Sequence, residues 1–168
     1  MEDRYRRDMS LRFAMILSCG AALAICGAAF AAPAPPQPDY HPSMGDLMTM
    51  AVQPRHTKLG YAVTAHNWSY AAYEAGELRH AFDRIAKTIP TYRDNDIASS
   101  ASQNMKAPLD ALDAAIKTRN PAGFATAYGK VTRGCNACHT ALEHPEVVIR
   151  APVAGAYPDQ DFRPVAKK

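Results

Sequence analysis

The sequence predicts an all-α protein, an antiparallel four-helix bundle with an irregular C-terminal tail, and three observations lead there. Between residues 43 and 144 apolar residues recur at intervals of three and four in four blocks, the spacing that puts them on one face of a helix. Asparagine or proline marks the block ends, and the connections are mostly short, as in helices that reverse direction at each turn. The one β-like run, Val147-Val148-Ile149, lies outside the four blocks.

The first block carries Met44, Met48, Val52, His56, Leu59 and Val63 on one stripe. Pro54 interrupts it, so either the helix kinks there or a short helix ends and a second starts with Pro54 in its first turn. The second block opens at Asn67, whose side chain suits an N-cap. It sets Trp68, Ala72, Ala75, Leu78, Phe82, Ile85 and Ile89 inward and stops at Pro90. The third, Ser99 to Lys117, turns Met105, Leu109, Leu112 and Ile116 inward, with a bend or restart expected at Pro108. The fourth is the most regular: Asn120 caps, Pro121 takes the first helical position, and Phe124, Tyr128, Val131, Cys135, Cys138 and Leu142 follow at helical spacing.

The flanking segments differ in kind. Residues 1–31 read as a secretory signal: Arg4, Arg6, Arg7 and Arg12 come first, then an apolar run to Phe30, then a small-residue cleavage site at Ala29-Phe30-Ala31. Were it retained, the same run would make an N-terminal membrane anchor. Residues 32–42 are proline-rich and read as an extended linker. The helical domain spans 43–144. Residues 145–168, with Pro152, Gly155, Pro158 and Pro164, read as an extended tail laid over the helices. A formal net charge of +3 over 168 residues gives no argument for nucleic acid, which would call for a strongly basic face.

Two of the four cysteines, Cys19 and Cys26, fall in the apolar signal, leaving Cys135 and Cys138 in the domain. Cys135-Asn136-Ala137-Cys138-His139 is the Cys-x-x-Cys-His pattern of c-type haem attachment. Two thiols three residues apart lie on one helical turn, within reach of the two vinyl groups along one porphyrin edge, and the adjacent imidazole can bind the iron. Covalent attachment of this kind is made outside the cytoplasm, so an export signal and the motif agree. Competing uses of the pair fit less well. Zinc through Cys135, Cys138 and His144 lacks a fourth ligand, a thioredoxin-like pair wants a βαβ context, and a disulfide between residues three apart on a helix would be strained. The sequence holds no nucleophile with its base, no phosphate loop and no second haem motif, which points to an electron carrier rather than an enzyme.

The run Pro108-Leu109-Asp110-Ala111-Leu112-Asp113-Ala114-Ala115-Ile116, then Asn120, Phe124, Tyr128 and the Cys-x-x-Cys-His near the end of the last helix, resembles the third and fourth helices of class II c-type cytochromes, the cytochrome c′ and c-556 group. The resemblance covers roughly residues 108–144, and the earlier helices only by their pattern. It implies a four-helix bundle with one haem c near one end, held by Cys135 and Cys138 and ligated by His139. The implied roles are periplasmic electron transfer to partner proteins of the respiratory chain, or binding of small gases. Bundles of this group often dimerise. The chain departs from the group in Pro54 and in running on from His139 to Lys168.

In an antiparallel bundle the end of the fourth helix lies beside the start of the first, so a residue there can reach the iron opposite His139. In the resembled group that position holds methionine in six-coordinate carriers and an apolar residue in five-coordinate gas binders. Met48 on the inward stripe is the first candidate and His56, two turns on, the second; an open iron is the third reading. An open iron would make the chain a protein that binds nitric oxide or carbon monoxide, or one that reacts with peroxide. If residues 1–31 were retained, a subunit of a membrane respiratory complex would be the further reading. His66, His80 and His144 are expected at helix ends or on solvent faces.

Overall fold

The computed structural model describes residues 39–153, 157 and 159–165. The signal expected at 1–31 and residues 32–38 of the linker lie outside these. The fold is all-α, with one small hairpin. Its elements are α1 (Met44–Leu47), a π-helical turn (Met48–Val52), α2 (Gln53–Thr64), α3 (Trp68–Thr88), β1 (Thr91–Tyr92), β2 (Asn95–Asp96), α4 (Ile97–Lys117) and α5 (Pro121–Ala141). No helix among the described residues is long and apolar enough to cross a membrane.

The helical run begins where Ser43 and Asp46 cap each other's backbone: Asp46 N donates to Ser43 Oγ at 3.1 Å and Ser43 N to Asp46 Oδ2 at 3.0 Å. Of the two readings of Pro54, the structure shows the restart: the short α1 ends, the following turn widens to π geometry, Gln53 N donating five residues back to Met48 O, and α2 starts with Pro54 in its first turn. A proline ring clashes with the carbonyl four residues before it and leaves that carbonyl without its donor, and a wider turn relieves both.

At Pro108 the expected bend or restart is not needed to interrupt the helix, since α4 runs continuously from Ile97 to Lys117. The β-like run at 147–149 forms no strand. The hairpin instead pairs Thr91 with Asp96 and Tyr92 with Asn95 around Arg93 and Asp94, both at positive φ (47° and 60°), the backbone of a type I′ turn.

Three helices end alike. His66, Arg119 and Glu143 adopt φ of 56°, 50° and 60°, and the next residue returns its N–H to the carbonyl five residues back: Asn67 to Ala62 O, Asn120 to Ala115 O, His144 to His139 O. Asn67 and Asn120 then turn their side chains to the next helix and cap it, accepting from Tyr70 N at 3.1 Å and Gly123 N at 3.0 Å. One asparagine therefore closes one helix and opens another, which leaves α2–α3 and α4–α5 joined by very short turns.

The apolar stripes meet in one core in which Leu59, Leu78, Ile85, Leu112 and Val131 are fully buried. The α2, α4 and α5 stripes match the sequence pattern. On α3 the expected Ala75, Leu78 and Ile85 are buried and Trp68, Phe82 and Ile89 are half-buried, but Ala72 is exposed, and Ala71, Glu74 and Ala81 face in beside the expected stripe. Glu74 is the reason the pattern misleads, because this charged residue is completely buried, with Arg55 Nη1 3.2 Å from its Oε2. The tail runs back over the helices. Pro152 lies against Gly60, the Tyr61 hydroxyl donates to Val153 O, and Asn67 Nδ2 donates to Phe162 O at 3.1 Å.

α5 approaches α4 most closely at Gly134, where an added Cβ would stand 2.5 Å from Asn104 O and 2.9 Å from the Met105 methyl. Backbone cannot yield as a side-chain tip can, so Gly134→Ala should destabilise the fold by about 1–3 kcal/mol, seen as a lower urea midpoint with an unchanged slope. Arg119→Gly should act oppositely. Relief of a left-handed φ at a non-glycine residue is worth up to about 1 kcal/mol, and the midpoint should rise.

Candidate functional site

At the end of the molecule where the helical run starts and α5 finishes, the core gives way to an apolar cavity of about 320 Å³. That falls at the lower end of the roughly 300–1,000 Å³ range of cofactor and ligand sites. Every sequence-predicted site residue borders it. The first helical run contributes Met44, Met48, Val52 and His56; α3 contributes Phe82 and Ile85; α4 contributes Ile97, Ala101 and Met105. Cys135, Cys138, His139 and Leu142 come from the last turns of α5, and Tyr92, His144, Val147 and Ile149 from the hairpin and tail.

Cys135 is buried and Cys138 half-buried, and both are free thiols. Burial pushes the Cys135 thiol up to about 12 and raises Cys138 as well. The pair is thus held as neutral thiols, without the low thiol pKa of a disulfide-exchange site. Their positions follow from packing: Cys135 continues the stripe of Phe124, Tyr128 and Val131, and Cys138 is one turn further on, where the neighbouring helices no longer cover it.

His139 is half-buried, and its Nδ1 lies 2.7 Å from Val147 O. A carbonyl can only accept, so Nδ1 carries a proton, the kind of partner that commonly orients metal-ligating histidines to bind through Nε2.

Met48 sits half-buried in the π turn, whereas Met50 in the same turn is 61% exposed. His56 is buried and doubly engaged. Its Nε2 is 2.9 Å from Thr132 Oγ1, its Nδ1 is 3.1 Å from the Tyr128 hydroxyl, and its ring stacks on Tyr128 at 4.5 Å. The Tyr128 hydroxyl donates its one proton to His56 O at 2.7 Å, so it accepts from the His56 Nδ1–H. Turning either His56 nitrogen toward a metal would break a buried hydrogen bond, at about 1–3 kcal/mol.

Three cavity neighbours were not legible as such. Met44 and Met105 read as ordinary core. His144, expected at a solvent face, borders the cavity, with Nε2 2.9 Å from the Tyr92 hydroxyl and Nδ1 3.2 Å from Glu146 Oε1. A histidine five residues beyond the motif was the available signal, but the hairpin that brings Tyr92 to it leaves no periodic trace. Arg93 of the same hairpin pairs with Glu143 at the end of α5.

The donor set fits a covalently held haem. Its macrocycle brings four nitrogens, so the chain has to supply thiols, one imidazole and apolar walls, and all are present around one cavity. Among the described residues no three His, Cys, Asp or Glu side chains converge into a metal site of their own. Comparison with known protein families, with curated proteins and with solved structures finds no match for the chain.

Burial holds the His56 imidazole neutral down to about 4, against an ordinary value of 6.5. Between those values the unfolded chain binds a proton that the folded chain refuses. Stability should therefore fall as the pH drops from about 6.5 to about 4, by roughly 3 kcal/mol, and this loss should shrink in His56→Gln. Urea midpoints across that range, compared for the two proteins, give the measurement.

Proposed function

We propose that the chain is an exported, periplasmic c-type cytochrome that carries one haem and transfers electrons, built as an antiparallel four-helix bundle of the class II kind. One observation carries the reading: Cys135, Cys138 and His139 border a single apolar cavity, with the His139 Nδ1–H already committed to a backbone carbonyl. The helix contacts support the bundle, since α3 packs on α2, α4 on α3 and α5 on α4, around very short turns at Asn67 and Asn120.

Cys135 and Cys138 would hold the haem through two thioethers, each S–H adding across one vinyl double bond so that nothing leaves. When bound, haem would supply the redox couple. His139 Nε2 would bind the iron. Met48 would be the second ligand: it is half-buried at the cavity wall, its thioether competes with no hydrogen bond, and both His56 nitrogens already lie within hydrogen-bond distance of hydroxyls. The apolar walls exclude water and so favour the less charged ferrous form. Redox proteins of the respiratory chain are the proposed partners.

Protein expressed with haem-attachment machinery should keep its colour through acid extraction and weigh one haem more than its amino acids. The Cys135→Ala, Cys138→Ala double variant should lose the attached haem entirely. Colourless extracted polypeptide of bare mass would sink the reading. Carbon monoxide should leave the spectrum of the reduced protein largely unchanged and should alter that of Met48→Ala within mixing. Prompt binding by the unaltered protein would instead favour a five-coordinate gas-binding or peroxide-reacting protein.

A further inference from the structure

We propose that Asn136, the first of the two spacer residues of the motif, is a positioning residue that fixes the C-terminal segment against α5, so that Val147 O can hold and tune the His139 imidazole. The proposal rests on the haem reading above.

The Asn136 side chain is half-buried and pairs with both backbone groups of a single tail residue. Ile149 N donates to Asn136 Oδ1 at 2.7 Å, and Asn136 Nδ2 donates to Ile149 O at 2.9 Å. A side-chain amide used this way imitates the peptide of a neighbouring strand. It accepts one register, because a slip of one residue along the tail would break both bonds.

His139 lies one turn further along the same face of α5 and Val147 two residues back along the tail. One helical turn rises about 5.4 Å and two extended residues advance about 6.6 Å. The two fastenings, 136 to 149 and 139 to 147, therefore match in spacing with the segments running in opposite directions. The intervening loop is closed by its own bonds, His144 N to His139 O at 2.7 Å and Val147 N to His144 O at 3.1 Å. Fastenings further out, at Pro152 against Gly60 and at Phe162 O on Asn67, hold the rest of the tail but do not touch the imidazole. The register of Val147 is set by Asn136.

An Nδ1–H that donates to a fixed carbonyl makes Nε2 a stronger donor, and a stronger donor favours ferric over ferrous iron. Releasing the tail should therefore raise the reduction potential and open the Nδ1 proton to water.

The test compares haem-attached full-length protein with Asn136→Leu, close in volume but unable to make either bond. Two quantities are read: the midpoint potential, and exchange of the His139 Nδ1 proton by NMR of the reduced protein. The variant should retain covalent haem, shift upward in potential and exchange that proton about tenfold faster or more, the factor one net hydrogen bond supplies. Parent values for both would overturn the proposal.

If Asn136→Leu yields no folded protein, Ile149→Pro removes the amide donor from the tail side and leaves the motif intact. The same two shifts are expected there, and parent values again overturn the assignment. Failure of the haem reading is visible beforehand, as an unaltered chain that carries no added mass after acid extraction. A haem-loaded Asn136→Leu with unchanged potential and exchange sinks the positioning role alone.

Discussion

The close approach of α5 to α4 at Gly134 is the constraint on which the rest depends. A helix can keep two cysteines on its buried face only if the neighbouring backbone seals that face up to the point where the thiols are needed. Gly134 lets the Asn104 carbonyl and the Met105 methyl come in where a Cβ would stand. Cys135, next in the chain, is thereby buried at the cavity wall, and Cys138 emerges one turn later. The other helices then line up around an end of the core that their own side chains do not fill.

The opposite wall of α5 is held by polar contacts. His56, Tyr128 and Thr132 form a cluster between α2 and α5 in which both ring nitrogens lie within hydrogen-bond distance of a hydroxyl and the Tyr128 hydroxyl reaches His56 O. Such a network has little freedom to rearrange, because each broken bond leaves an unsatisfied group away from water. It fixes the angle of α2 to α5 just above the cavity. Glu74 with Arg55 does the same between α2 and α3, where a buried carboxylate demands a cation within reach. Apolar packing fills the core, and these two clusters set how its helices cross near the site.

What the sequence showed and what it hid divide along the range of the interactions. Asn67 and Asn120 were legible as caps because an N-cap bond spans three residues, and the stripes of α4 and α5 because apolar burial follows the helical period. Cys135, Cys138 and His139 were legible because their chemistry needs a fixed local spacing. Ala72 was misplaced because buried Glu74 breaks the rule that charge faces out, and Arg55, nineteen residues away, pairs with it. The left-handed residues His66, Arg119 and Glu143 carry no glycine to announce them. The meeting of Tyr92 with His144, and of Asn136 with Ile149, depends on where separate segments are carried by the fold. No local pattern encodes that.

The tail gives the last step of this argument. On the proposed reading two sulfurs would retain the haem without a further segment, so a tail fastened at several points across α5, α2 and the start of α3 needs another physical reason. Its bonds supply one: the three nearest the motif fall on Asn136 and on His139, and the others hold the chain that carries them in register. An imidazole at a half-exposed helix end would otherwise have water as its Nδ1 partner, free to reorient and to exchange. Replacing that water by a carbonyl fixed from two sides converts a mobile donor bond into a constant one, and on the proposed reading that constancy at the ligand would hold the reduction potential at one value.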